Sequence, residues 1–257
     1  MTLHHRYVAP PRDGAPTLLL IHPMGASLAF WDACLPQWLP QLGILAPDLR
    51  CAGASPGGEA PGLATHAADL EALRAARGLG RLVLVACAVG AMVAAAYAAR
   101  HPGQVLAMVL ANPTPRSTEA ARDALLARAA SVREGGMAAI LPAAVERPFH
   151  NQPRGDRYDA YLGSFATQDA DAYAQSVLGF ATADARGDIA RIVCPTLLVP
   201  AAHDLLLPPP LAEDFASLMR PGLAQIALDA EGAHFLPYQR PGAFAAKVLD
   251  FVTAQGA

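Results

Sequence analysis

Short apolar runs alternate with helix-length stretches along most of this chain, and that alternation limits the folds open to it. "TLLLIH" (17–22) reads as a buried strand and "SLAFWDACLPQWL" (27–39) as a helix. "GILAPD" (43–48) is the next strand, followed by the helical "LATHAADLEALRAAR" (63–77). "RLVLVA" (81–86) is a third strand, "AMVAAAYAARH" (91–101) its helix, and "VLAMVLAN" (105–112) a fourth strand. Repeated βα units of this kind predict an α/β fold, a mostly parallel sheet flanked by helices on both faces.

The rhythm changes after Pro113. No buried strand is legible from there to about Ile189, whereas "EAARDALLARAASVREGG" (119–136) is amphipathic and helical. Strands resume with "CPTLLVPAA" (194–202) and "AQIALD" (224–229), and "PGAFAAKVLDFVTA" (241–254) closes the chain as a helix with proline near its start. The expected division is a core from 1–113 and 190–257, with 114–189 inserted as a helical cap. Such a cap would cover the C-terminal edge of the strands, where open α/β sheets bind ligands. A length of 257 residues suits one such domain.

Composition excludes several functions. With 53% hydrophobic and 16% charged residues the chain can bury a large core, and disorder is not expected. A net charge of −3 gives no reason to expect nucleic acid or an anionic membrane as a partner. The start does not read as a secretion signal, and no apolar run approaches a membrane span. Cys34, Cys51, Cys87 and Cys194 match no zinc spacing and are too few for a disulfide scaffold. A cytoplasmic protein with reduced thiols is expected, needing no metal and no cofactor. Its partner would be a small-molecule substrate; homo-oligomerisation stays open.

Four motifs carry the chemistry. "LIHPMGAS" ends the first clear strand, and "DLRCAGASP" follows the next. The third is a strand–turn–helix, "VLVACAVGAMVAAAYAAR". It offers Ala86-Cys87-Ala88-Val89-Gly90 where many hydrolases carry G-x-S-x-G. The fourth is the pair "AAHDLLLPP" and "EGAHFLPYQRP", which supplies Asp204 and His234. In this order the motifs resemble those of α/β-hydrolases, whose triad runs nucleophile, acid, histidine. "HPMGASLAFWDACLPQW" and "VREGGMAAI" are most similar to 3-oxoadipate enol-lactonases and their close relatives. The resemblance implies His234 as general base and Asp204 as its orienting acid, with Ala88 at the nucleophile position. It implies the backbone N–H groups of Met24 and Val89 as oxyanion donors.

Ala88 cannot attack a carbonyl, and three explanations stay open. A serine enzyme could have been inactivated by a Ser→Ala change. A serine-free enzyme could use His234 to activate water; the aminoacrylate hydrolases are similar in carrying Ala in this turn with acid and His retained. Related non-hydrolytic chemistry (lyase or decarboxylase) or plain ligand binding completes the set. Cys87 is read as a small buried thiol rather than a nucleophile, His203 as structural, and Arg50 as a brace of the sheet edge. Trp31 and Phe149 are candidate apolar walls of the substrate pocket. Among the cap arginines (116, 122, 128, 133, 147, 154 and 157), Arg147 is taken as the candidate clamp for a substrate carboxylate.

Overall fold

The computed structural model describes residues 2–256. Seven strands form one sheet: β1 (His5–Val8), β2 (Thr17–Ile21), β3 (Gly43–Pro47), β4 (Leu82–Cys87), β5 (Val105–Ala111), β6 (Thr196–Val199) and β7 (Ala224–Ile226), in the order β1-β3-β2-β4-β5-β6-β7. Only β1 runs antiparallel, along β3; the remaining pairs are parallel. β4 is buried at every position. A strand covered on both faces needs this unbroken apolar character, which is why the run at its position reads so clearly in the sequence.

Alternate side chains of each strand feed two cores. Leu18, Leu20, Val83 and Val85 meet Trp31, Trp38 and Phe244 on one face. Leu19, Ile21, Leu82 and Leu84 meet Leu70, Met92 and Tyr97 on the other. The first face is covered by α1 (Leu35–Trp38) and α11 (Pro241–Ala254), the second by α2 (Leu63–Ala76) and α3 (Gly90–Arg100). The expected helix over 27–39 is broken in two. A 3-10 turn at Leu28–Trp31 starts at Ser27, and Asp48 Oδ1 accepts the Leu28 N–H at 2.6 Å. Pro36 then opens α1, since a proline lacking its N–H is tolerated in a first turn. The half-exposed edge strand β1 and the helix α9 (Pro210–Leu218) were not legible in the sequence.

Between β5 and β6 the chain makes a helical excursion through α4 (Glu119–Gly135), α5 (Ala143–Glu146), α6 (Asp156–Ala166) and α7 (Ala170–Ala181). Its two ends are joined side by side. Arg116 and Asp184 form an isolated antiparallel bridge, and the Ser117 N–H donates to the Ala183 carbonyl at 2.9 Å. The following α8 (Arg186–Ile189) is tied to α3 by an Arg100–Asp188 ion pair at 3.0 Å. The short α10 (Leu236–Gln239) follows the last strand and precedes α11. Among the described residues, no helix is long and apolar enough to cross a membrane.

Candidate active site

The turn after β4 is tight. Ala88 has φ +52°, a left-handed conformation that costs a non-glycine residue roughly 1–2 kcal/mol. Its N–H donates to the Ala111 carbonyl at 2.9 Å, continuing the β4–β5 ladder one residue past the strand. Gly90 then lets α3 start against β2. A Cβ there would lie 2.7 Å from the Ile21 carbonyl oxygen and 3.0 Å from that of His22. The Ala-rich sequence of α3 keeps the same close approach along the helix, with Ala91, Ala94, Ala95 and Ala96 all fully buried. Backbone geometry of this kind is what a nucleophile elbow requires, and here it presents a methyl group.

His234 lines the same cavity as that methyl. Its Nδ1 lies 2.9 Å from Asp204 Oδ2 and 3.1 Å from Oδ1, with both residues buried. Asp204 is itself fixed, because Oδ1 accepts the N–H groups of Leu206 (2.8 Å) and Leu207 (2.9 Å). The carboxylate therefore accepts a hydrogen bond from Nδ1–H, which leaves Nε2 as the acceptor nitrogen of the ring. The backbone of His234 is held as well. Asn112, at the end of β5 with φ +45°, donates from Nδ2 to the carbonyls of Ala233 (2.8 Å) and His234 (2.9 Å). The Cys87 thiol also points to the His234 carbonyl, 3.7 Å away. Burial, with the Asp204 carboxylate nearby, pushes that thiol well above its ordinary pKa, so it stays protonated and poorly nucleophilic.

The loop after β2 supplies the third side. The His22 Nε2 accepts the Leu49 N–H at 2.9 Å, which leaves Nδ1–H to donate to the Pro23 carbonyl at 2.8 Å. Burial lowers the pKa of His22, in keeping with a neutral ring in this double role. The ring thus locks the turn that carries Met24. The N–H groups of Met24 and Val89 make no hydrogen bond to protein among the described residues.

Ala88, Val89, Met24 and His234 line one cavity of about 60 Å³. The excursion closes it from above with Arg128 of α4, Ala144 of α5, Phe165 of α6 and Tyr173 of α7. Three residues expected at the substrate do not line this cavity. Trp31 is wholly buried in the core below, edge-on to Phe30 with ring centroids 5.0 Å apart. Phe149 packs behind the wall, its ring 6.1 Å from that of Phe235, which does line the cavity. Arg147 is exposed on the outer surface. The arginine that reaches the cavity is Arg128. Its signal was present in the sequence: Leu125, Arg128, Ala129 and Val132 share one face of α4 at spacings of three, four and seven, and Ala129 and Val132 are buried. An arginine on the inward stripe is a stronger candidate than one on the outer face. His203 sits outside the cavity lining, its Nδ1 3.4 Å from Asn151 Nδ2. Arg50 makes a two-pronged ion pair with Asp69 of α2, at 2.9 and 2.6 Å.

Comparison with known proteins agrees with this architecture. The chain is 30% identical over 211 residues to a protein of Klebsiella pneumoniae (strain 342) named as a carbamate hydrolase, RutD, covering 78% of this chain and 79% of that one. The enol-lactonase from Burkholderia xenovorans LB400 superposes with a TM-score of 0.88 at 23% identity, covering 98% of this chain and 96% of its own. A thermophilic esterase from Thermogutta terrifontis superposes with a TM-score of 0.87 at 20% identity, over 99% and 94% of the two chains. The family model described as the alpha/beta hydrolase fold matches residues 16–241, most of the chain. With the sheet order, the tight turn after β4 and that match in agreement, the chain belongs to the α/β-hydrolase fold family.

Proposed function

We propose that this protein is a hydrolase of small, reactive carbonyl compounds (an activated ester, an enol-lactone or a carbamate) that works without a serine nucleophile. The observation that carries this reading is the His234–Asp204 pair, intact and lining the same cavity as Ala88 and as Met24 and Val89, whose N–H groups have no protein partner among the described residues. An imidazole that is held by a carboxylate and also lines the cavity is arranged for proton transfer, which supports catalysis over plain ligand binding. The similarity to a carbamate hydrolase and the fold shared with an enol-lactonase and an esterase support hydrolysis over other chemistry.

In this mechanism water occupies the space that a serine hydroxyl would fill. Nε2 of His234 takes a proton from it as the oxygen adds to the substrate carbonyl. Asp204 holds the required tautomer and stabilises the imidazolium. The oxyanion accepts hydrogen bonds from the Met24 and Val89 N–H groups, each worth about 2.7–4 kcal/mol in comparable sites. Collapse of the tetrahedral intermediate expels the leaving group, which recovers the proton from His234. The helices between β5 and β6 act as a cap: they exclude bulk water and restrict the substrate to a size that the small cavity admits. General-base catalysis of this type contributes about 10²–10⁴-fold, enough for an activated substrate and too little for an ordinary amide.

The test compares the wild-type protein with His234→Ala on 4-nitrophenyl acetate and on an enol-lactone. A loss of about 10²–10⁴-fold in kcat/KM is expected. Equal rates would remove His234 from the mechanism. Mass spectrometry of the quenched wild-type reaction should find no acyl adduct on the chain. The Ala88→Ser variant should gain a burst phase and an adduct at residue 88; if it gains neither, Nε2 does not face the turn as this mechanism requires.

A further inference from the structure

We propose that Arg128 is a specificity-determining residue that binds a carboxylate carried on the acyl part of the substrate; this rests on the hydrolase reading above. Arg128 lies on the inward face of α4, and its side chain lines the same cavity as Ala88 and His234. Its one hydrogen bond is a long one, Nη1 donating to the Tyr173 hydroxyl at 3.5 Å. Among the described residues no carboxylate pairs with it, whereas Arg50, Arg100, Arg154 and Arg240 each have an acidic partner.

The surroundings make that unpaired charge informative. The cavity is otherwise walled by apolar groups such as Pro23, Phe165, Leu206 and Phe235, and no acidic residue lines it. Arg128 is partly buried, and a guanidinium set against such a wall with no acidic neighbour is placed to take an anion that enters the cavity. Tyr173 offers no anion, because burial raises its hydroxyl pKa and the nearby guanidinium only partly opposes that. A guanidinium fork matches a carboxylate in shape, with two parallel N–H···O bonds. In the mechanism above the Met24 and Val89 N–H groups take the reacting carbonyl, so the carboxylate is a second group of the same small molecule. Arg128 and His234 line one small cavity, so few bonds are expected between carboxylate and reacting carbonyl. The ligand class is therefore a short acyl group bearing an acid, rather than a long-chain or neutral ester.

Two measurements test this. The first is the ratio of kcat/KM for mono-4-nitrophenyl succinate over 4-nitrophenyl butyrate, each corrected for its uncatalysed rate. A wild-type ratio of roughly tenfold or more is expected, falling toward one in Arg128→Met and recovering in part in Arg128→Lys. The second is binding alone, by ligand-observed NMR, of isobutyrate against the neutral isobutyramide. The wild type should prefer the anion, and Arg128→Met should not. A wild-type preference for the acid that persists in Arg128→Met, or no preference in folded wild type by either measurement, overturns the proposal. If neither ester is hydrolysed while the binding preference appears and depends on Arg128, the assignment of Arg128 stands, and the hydrolase reading is what has failed.

Discussion

The floor and the roof of the cavity are built on different principles. The floor is the sheet edge with its tight turn. β4 is buried throughout, α3 has buried residues on every side, and His22, Asn112 and Asp204 fix the loops by hydrogen bonds to backbone. The roof is thin. In α4, only Ala129 and Val132 of 17 residues are buried, so that helix rests on a narrow stripe. Ring contacts among Phe149, Tyr161, Phe165 and Tyr173 contribute to the roof's packing, alongside buried aliphatic residues such as Val132, Val145 and Val177. Polar contacts pin the roof to the core: the Tyr161 hydroxyl (3.2 Å) and Gln168 Nε2 (2.9 Å) donate to the Gly25 carbonyl, Gln152 Nε2 donates to the Glu231 carbonyl (2.8 Å), and Gln239 Nε2 donates to the Pro148 carbonyl (2.8 Å). In the proposed mechanism the floor would hold the reacting groups, and the roof would select the molecule that reaches them.

Substitutions can sharpen or break that contrast. The largest effect on rate should come from the floor. Asp204→Asn keeps the packing but offers Nδ1 the wrong partner, and kcat should fall by about 10²–10⁴-fold with little change in KM, measured by steady-state kinetics. Trp31→Ala, deep in the floor, should cost about 3–5 kcal/mol in urea unfolding, whereas Leu126→Ala on the exposed side of α4 should stay within about 0.5 kcal/mol. Equal losses at the two positions would erase the distinction.

Acid should act through the floor as well. His66 is buried against Phe180 with neither ring nitrogen hydrogen-bonded, and desolvation lowers its pKa from 6.5 to about 4. Between those values the unfolded chain binds the proton and the folded one does not. This group's contribution is therefore constant above pH 6.5 and falls by roughly 3 kcal/mol on descending to pH 4. His22 acts in the same direction. Unfolding free energies for His66→Leu should fall less steeply than wild type over that range; parallel curves would show that His66 is protonated in the folded state. Gly90→Ala should cost about 1–3 kcal/mol, because the added methyl meets backbone oxygens that cannot move independently of β2. Smallest of all, Arg147→Ala should leave kcat/KM within about twofold, as expected for an exposed side chain outside the cavity.

The same contrast explains what could be read from the sequence. The floor was legible because burial on both faces demands unbroken apolar runs, and because Ala88, Asp204 and His234 lie just past strand ends in recognisable frames. The roof was legible as helix but not as a site. Seven arginines there look alike until the stripe on α4 is traced, and aromatic residues such as Phe149 read equally as wall or support. Trp31 shows a related ambiguity: Pro23 and Met24 of the same motif line the cavity, whereas its own side chain is buried in the core. Asn112 was visible only as a position lacking an acid. Its part in holding the His234 backbone depends on a φ of +45° that no local pattern announces.

The bridge between Arg116 and Asp184 has a wider consequence. The excursion leaves and rejoins the sheet at one stem, so its length and contents are decoupled from strand order. A relative could exchange this whole stretch, and with it the acid-recognising arginine, while keeping the same reaction machinery beneath. Grafting the segment between those two residues from another member of the fold should therefore move substrate preference as a single cassette.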